Sequence, residues 1–182
     1  MKNISKTFGN FLIALSVVGF LILLLPLVIV RLPTPPLSID SKGYFILIPR
    51  IQAVSPIVVG VDPWNRTEYD LALSKGIAQA KGTFLPGEEK LIFLFAHSSG
   101  MPWEILAKNV PFLRLDEVRT GDQLILSRSG KEYIYIVSAK KVVEATETKY
   151  LQDTSKNILI LQTCWPLGTD WKRLLVIATP RL

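Results

Sequence analysis

Residues 44 to 182 repeat one pattern, a short run of β-branched, leucine and aromatic residues that is closed by Gly, Pro, Asp or Ser. Runs of this length and composition predict β-strands. The runs are YFILIPRI, SPIVVGV, KLIFLFAH, DQLILSR, KEYIYIVSAKKVV, NILILQT and KRLLVIAT. Seven strands within one such stretch predict an all-β domain, folded as a barrel or a sandwich.

Two stretches interrupt the strand pattern. In residues 67–82 the apolar residues recur at loosely helical spacing, which predicts one short helix. These apolar residues are Tyr69, Leu71, Leu73, Ile77 and Ala80. A second helical turn or two is expected in residues 101–109.

The N-terminal segment has a different character, because residues 7–30 carry no charge and residues 11–30 are almost wholly apolar. About twenty residues of helix span about 30 Å, the thickness of the hydrocarbon core of a bilayer. A cleaved signal peptide usually has a shorter apolar region of about 7–15 residues, followed by a small-x-small cleavage site. A retained anchor therefore fits better than a signal peptide or a buried core helix.

This interpretation divides the chain into four parts. We expect a short cytoplasmic head at residues 1–10, a transmembrane signal-anchor at 11–30, a Pro-rich linker at 31–43 and a folded barrel at 44–182. The Pro-rich linker should run extended and act as a stiff spacer. The protein would then be a single-pass protein of the cell membrane, with the folded domain outside the cytoplasm.

The charge and the inventory of reactive residues exclude several classes of protein. The net charge of +6 comes from 21 basic and 15 acidic residues, without the clusters of Lys and Arg that nucleic-acid binding needs. One His and one Cys cannot form a closed zinc site without carboxylates, and there is no Gly-rich phosphate loop. We expect no nucleic-acid partner, no metal and no organic cofactor.

The single His and the single Cys each stand at the C-terminal end of an apolar run, His97 after LIFLFA and Cys164 after ILILQT. Taken alone, Cys164 is an ordinary small buried residue and His97 an ordinary loop residue. Strand ends, however, can share one mouth of a barrel. A nucleophilic cysteine needs a proton partner and a nearby cation, and His97 and Arg173 can supply them, with Lys172 as the rival cation.

The order of these residues resembles the sortases, the membrane-anchored cysteine transpeptidases of the cell surface. The resemblance extends over nearly all of residues 44–178, and its most specific part is TCWPLGTDWKRLLVIA at residues 163–178. Three positions depart from the usual family pattern: Ile160 replaces a Thr, Ala96 a Gly and Gln79 a His. These departures leave the subclass and the sorting motif open.

The resemblance implies a closed eight-stranded β-barrel and a reaction in two stages. Cys164 would attack the threonine carbonyl of an LPxTG-like sorting signal on a surface protein, and form a thioacyl-enzyme. An amine of the cell envelope or of another surface protein would then attack the thioacyl-enzyme and release Cys164. His97 would act as acid and then as base, and Arg173 would stabilise the oxyanion.

The neighbours of the reactive residues are candidates for substrate contact: Thr163, Trp165 and Ser98. Trp103, in the loop after His97, either caps the peptide groove or anchors the loop. Two alternatives to transpeptidation stay open. One is a hydrolytic cysteine peptidase with the same residues, and the other is a non-catalytic, membrane-tethered β-barrel that binds peptides.

Overall fold

The computed structural model describes residues 2–29, 43–98 and 110–181. The chain divides into two units, Met1–Pro33 and Thr34–Leu182. The first unit contains one helix, α1, at Lys2–Ile29. Within the described ranges, no helix combines the length and the apolar character that a membrane crossing requires. The structure therefore does not show the anchor predicted at residues 11–30.

The second unit is a closed barrel of eight strands, as the family resemblance implies. The strands are β1 Tyr44–Ile48, β2 Ala53–Val61, β3 Ile77–Ala80, β4 Ile92–Phe95, β5 Gln123–Arg128, β6 Lys131–Glu144, β7 Leu159–Trp165 and β8 Lys172–Pro180. Around the barrel they follow the order β1-β2-β3-β4-β7-β8-β6-β5. Each of the seven predicted runs overlaps one of these strands. The additional strand is β3.

In the described part of the second unit, the helices are short. They are α2 Arg66–Lys75, α3 Lys149–Gln152 and the 3-10 turns Pro49–Ile51 and Leu115–Glu117. The helix predicted in residues 67–82 is confirmed as α2, but its C-terminal part is wrong because Ile77–Ala80 forms β3. All four residues of β3 are buried, and a short buried apolar run has no period that separates strand from helix. The second predicted helix, at residues 101–109, lies outside the described residues.

Two of the eight strand pairings are parallel, β2 with β3 and β4 with β7, and the other six are antiparallel. Parallel neighbours need a crossover connection. Helix α2 lies in the crossover from β2 to β3, and β5, β6 and α3 lie in the longer one from β4 to β7. The C-terminal ends of β4 and β7 therefore meet at one rim of the barrel, beside the N-terminal end of the antiparallel strand β8.

The core is formed by leucine, isoleucine and phenylalanine side chains that the strands turn inward. Leu124 and Leu126 of β5 are fully buried, while Gln123 is exposed and Ile125 and Ser127 are partly exposed, the alternation of a strand with one buried face. The sequence periodicity of the strands is thus explained by packing against this core.

Gly76 ends α2 and starts the turn into β3, with a φ of 155°. A Cβ at this position would lie 2.5 Å from the carbonyl oxygen of Pro56. We therefore expect Gly76→Ala to destabilise the barrel by about 1–3 kcal/mol, because backbone strain and a steric clash act together. Urea unfolding followed by circular dichroism measures this difference.

Gly60→Ala is the matched control. Gly60 has a φ of 77°, but a Cβ there meets nothing within 4 Å. Gly60→Ala therefore introduces backbone strain without a steric clash, so it should lower the free energy of unfolding by less than Gly76→Ala does. An equal or greater loss for Gly60→Ala would contradict the role assigned to the contact with Pro56.

Candidate active site

Cys164 and Arg173 lie directly opposite each other in the antiparallel pair of β7 and β8. Opposite residues of such a pair have their Cα atoms about 4.5–5.5 Å apart and direct their side chains to the same face. The residues between these strands form the turn that returns the chain. We predicted that the strand carrying Arg173 returns antiparallel and brings Arg173 beside the Cys164 thiol, and the structure confirms this arrangement.

His97 lies level with Cys164 and Arg173, on the opposite side of β7 from Arg173. In the parallel pair of β4 and β7, Phe95 is level with Gln162, and the Ala96 N–H donates to the Gln162 carbonyl at 3.2 Å. Two further residues along each chain bring His97 level with Cys164. The imidazole and the guanidinium therefore approach the thiol from its two neighbouring strands.

The three predicted catalytic side chains line one open cleft of about 780 Å³. All three are half-buried, so the cleft exposes part of each. The floor continues along the strands through Phe93, Phe95 and Gln162. The walls come from the start of α2, the segment from β6 to α3 and the turn between β7 and β8. These wall residues include Trp64, Arg66, Tyr69, Asp70, Glu147, Tyr150, Gly168 and Asp170.

The Arg173 guanidinium is held by backbone carbonyls of the turn before β8 and of the first residue of β8. Its Nη1 donates to the carbonyl of Asp170 at 2.8 Å and to that of Lys172 at 3.1 Å. A guanidinium has five N–H donors in a fixed plane, so donors remain for an oxygen in the cleft. Lys172 does not line the cleft and instead forms an ion pair with Glu144 at 3.1 Å. The geometry thus favours Arg173 over Lys172 as the cation of the site.

Thr163 faces away from the cleft and is only 3% exposed. Its Oγ1 donates to the carbonyl of Ala96 at 2.8 Å, across 67 positions of sequence. Thr163 precedes Cys164 and Ala96 precedes His97, so this hydrogen bond joins the two segments that carry the reactive side chains. The side chain of Thr163 has a structural contact here; a contact of its backbone with substrate stays a prediction.

Ser98 and Trp165, the other predicted substrate contacts, do not line the large cleft. Both line a small cavity together with Thr163, Cys164 and Phe112. Ser98 is 4% exposed, and its buried Oγ has no hydrogen-bond partner among the described residues. Trp165 is half-buried and packs against the core. Trp103 lies outside the described residues.

Tyr69 of α2 is a cleft residue that the sequence did not assign to the site. Its ring stacks on Phe95, with centroids 5.3 Å apart, and meets the His97 ring edge-to-face at 5.9 Å. Burial raises the pKa of the Tyr69 phenol above its ordinary value, negative charge at Cys164 and Asp70 adds to the rise, and the Arg173 guanidinium opposes it. The helical pattern predicts that Tyr69 shares a face with the buried Leu73, but not which strands lie beneath that face.

We expect the hydrogen bond between Thr163 and the Ala96 carbonyl to stabilise the fold. Thr163→Val keeps the shape of the side chain but leaves the Ala96 carbonyl without its hydroxyl donor. We expect a loss of about 1–3 kcal/mol in the free energy of unfolding, measured by urea denaturation. Thr163→Ser keeps the hydroxyl and should recover part of this stability. A Val variant as stable as the wild type would show that the hydrogen bond does not hold the two segments together.

Comparison with known proteins places this arrangement in a family. A sortase domain model matches residues 46–181. The chain is similar to Sortase D of Bacillus subtilis (strain 168), with 32% identity over 122 residues, which covers 66% of this chain and 53% of that protein. The chain spans about half the length of the curated relatives it matches.

Solved structures agree in fold. Sortase C1 of Streptococcus agalactiae, in its complex with MTSET, is 27% identical with a TM-score of 0.64, over 80% of this chain and 72% of that chain. Sortase C-1 of Actinomyces oris is 29% identical with a TM-score of 0.64, over 80% and 76% of the two chains. A lid mutant of sortase A from Corynebacterium diphtheriae is 28% identical with a TM-score of 0.63, over 77% and 70%. Since the family model covers most of its length, the chain belongs to the sortase family.

Proposed function

We propose that this protein is a cysteine transpeptidase that cleaves an LPxTG-like sorting signal and transfers the cleaved protein to an amine. The observation that carries the proposal is the convergence of the only His and the only Cys of the chain with Arg173 in one cleft. Membership of the sortase family supports the same reaction. The substrates would be surface proteins that bear a C-terminal sorting signal.

In the first stage, the Cys164 thiolate adds to the carbonyl carbon of the threonine in the signal. The carbonyl oxygen becomes an oxyanion, and the free donors of Arg173 stabilise it. The C–N bond after the threonine then breaks, while the protonated His97 gives its proton to the leaving amine. A thioester between Cys164 and the threonine remains.

In the second stage, an amine of the cell envelope or of another surface protein enters the cleft. The neutral His97 removes a proton from this amine, whose nitrogen attacks the thioester carbonyl. Arg173 stabilises the second oxyanion, and the Cys164 thiolate leaves. The result is a new amide bond and a free enzyme with a protonated His97, ready for another cycle.

The backbone carbonyls of Asp170 and Lys172 support the role given to Arg173. They orient the guanidinium before substrate binds, so little rearrangement is needed when negative charge develops on the substrate oxygen. A lysine would offer a point charge without the planar set of donors. Arg173 thus suits a carbonyl oxygen that alternates between neutral and charged states.

We also propose that residues 11–30 hold the enzyme at the cell membrane as a single-pass protein, with the catalytic domain outside the cytoplasm. The support is the uncharged segment of residues 7–30 and the exposure of the described apolar side chains of α1, among them Phe11 and Ile13. Surface proteins and envelope amines would be met on that side of the membrane.

The proposed roles predict the activity of three variants on an LPxTG-like peptide with hydroxylamine as the acceptor. Cys164→Ala should form no hydroxamate, because no thioester can form. His97→Ala and Arg173→Ala should each lower turnover by about 10²–10³-fold. Lys172→Ala is the matched control for charge, and it should stay close to the wild type because Lys172 does not line the cleft.

The same assay separates the alternatives. With a peptide amine as acceptor in place of hydroxylamine, which attacks any thioester, a hydrolytic peptidase would still release mainly the free acid, and a transpeptidase would shift its product toward the new amide. Peptide cleavage by Cys164→Ala would end the proposal of a thioacyl-enzyme. Peptide binding without cleavage by the wild type would favour the non-catalytic barrel.

The location of the enzyme is tested through its single cysteine. In intact cells that express the full chain, a membrane-impermeant maleimide should label Cys164, because the thiol is half-buried at an open cleft outside the cytoplasm. Washed membranes should retain the labelled protein, and a variant that lacks residues 1–31 should leave the membrane fraction. Labelling that requires cell lysis would contradict the proposed orientation.

A further inference from the structure

The ring of Tyr69 lies against two side chains of the segment that carries the catalytic imidazole. It stacks on Phe95 with an angle of 15° between the ring planes, and it meets His97 at 78°. Phe95 and His97 are two residues apart, so they project from the same side of the extended chain. One side chain of α2 therefore covers both the end of β4 and the imidazole beyond it.

The helix holds Tyr69 in a fixed place. The Asn65 side chain accepts a hydrogen bond from the Glu68 N–H at 3.3 Å and so caps the start of α2. A Glu68 carboxylate oxygen accepts from the Asp62 N–H at 3.1 Å, which ties the preceding loop to the helix. One turn further on, Ala72 and Leu73 are buried against the barrel. Tyr69 therefore projects from an anchored element.

His97 needs support because it lies beyond the last residue of its strand. β4 ends at Phe95, and Ala96 follows it, with its N–H donating to the Gln162 carbonyl and its carbonyl accepting from the Thr163 hydroxyl, both in β7. Among the described residues, the aromatic neighbour of the imidazole is the Tyr69 ring. Because burial and Cys164 raise the pKa of its phenol, Tyr69 stays neutral, so the contact is one of ring packing and not an ion pair.

We propose that Tyr69 is a positioning residue, whose ring holds the His97 imidazole in the orientation from which it exchanges protons with the leaving and the incoming amine. This inference rests on the proposed transpeptidase function. The alternative is that Tyr69 only fills space above Phe95. The two differ in their consequences for the imidazole, which can be observed directly.

The first experiment observes the imidazole by NMR. His97 is the only histidine of the chain, so full-length protein purified without a histidine tag and labelled with ¹³C-histidine gives one set of ring signals. We expect a nuclear Overhauser effect between the rings of Tyr69 and His97 in the wild type. Tyr69→Leu should shift the His97 ring signals, and Tyr69→Phe should keep them near their wild-type positions.

Tyr150→Leu is the matched control for this spectrum. Tyr150 also lines the cleft, and its ring is likewise partly buried against the core, but it has no ring contact with His97 in the described part of the chain. The His97 signals should therefore change less in this variant than in Tyr69→Leu. Equal changes would show that the signals report the cleft in general and would overturn the assignment to Tyr69.

The second experiment measures turnover of the sorting peptide by the same full-length variants. Tyr69→Leu should lower kcat by on the order of tenfold with KM within about twofold, since a small displacement of a reacting group costs rate and not affinity. Tyr69→Phe should recover most of kcat. Thermal unfolding of each variant separates a loss of folded protein from a loss of rate.

Each outcome decides the proposal. A shifted His97 signal together with a lower kcat, both recovered by Tyr69→Phe, supports it. A Tyr69→Leu variant with a wild-type kcat, or with unchanged His97 signals, overturns it while the transpeptidase function stands. A wild-type chain that forms no thioacyl-enzyme overturns the proposed function and this role with it, whatever the spectra show.

Discussion

The position of β7 between β4 and β8 is the constraint on which the site depends. Adjacent strands lie about 4.8 Å apart, so a register fixed on both sides of β7 brings three residues distant in sequence into one row. The pairing of Cys164 with Arg173 fixes one side, and the pairing of Phe95 with Gln162 fixes the other. A shift of β7 by one residue would move Cys164 to the opposite face and bring Thr163 into the cleft. The buried hydrogen bond of Thr163 opposes that shift, because it can form only in the observed register.

Much of this arrangement follows from local sequence. Seven of the eight strands were predictable because their β-branched and aromatic runs end in turn residues, and the approach of His97, Cys164 and Arg173 followed from their places at strand ends. The strand β3 was not predictable in this way, since its four buried residues directly follow a helix. Its place depends on a parallel pairing with β2, which no local pattern encodes. The resemblance to the sortases supplied the number of strands.

The substrate contacts predicted from adjacency illustrate a second limit. Ser98 and Trp165 were chosen because they follow His97 and Cys164 directly, but successive residues of an extended chain point to opposite faces. Both therefore line the small cavity and not the large cleft. Tyr69, in contrast, is 28 positions from His97 in the printed sequence and enters the cleft only because α2 packs on β2 and β3 and places the Tyr69 ring on Phe95 at the end of β4. Contacts between separate elements of this kind depend on the assembled fold.

The alternation of side chains along β8 also determines which of its two cationic residues faces Cys164. Lys172 and Arg173 are neighbours at the start of β8, and composition alone leaves both as candidates. Since their side chains leave the strand on opposite faces, only one of them can share the face of Cys164. The pairing of β7 with β8 places Arg173 on the face of Cys164, and Lys172 forms an ion pair with Glu144 instead. Two carbonyls, that of Asp170 in the turn and that of Lys172 at the start of β8, then orient the guanidinium. Strand register thus determines which of the two cations faces Cys164, and the backbone beside it orients its guanidinium.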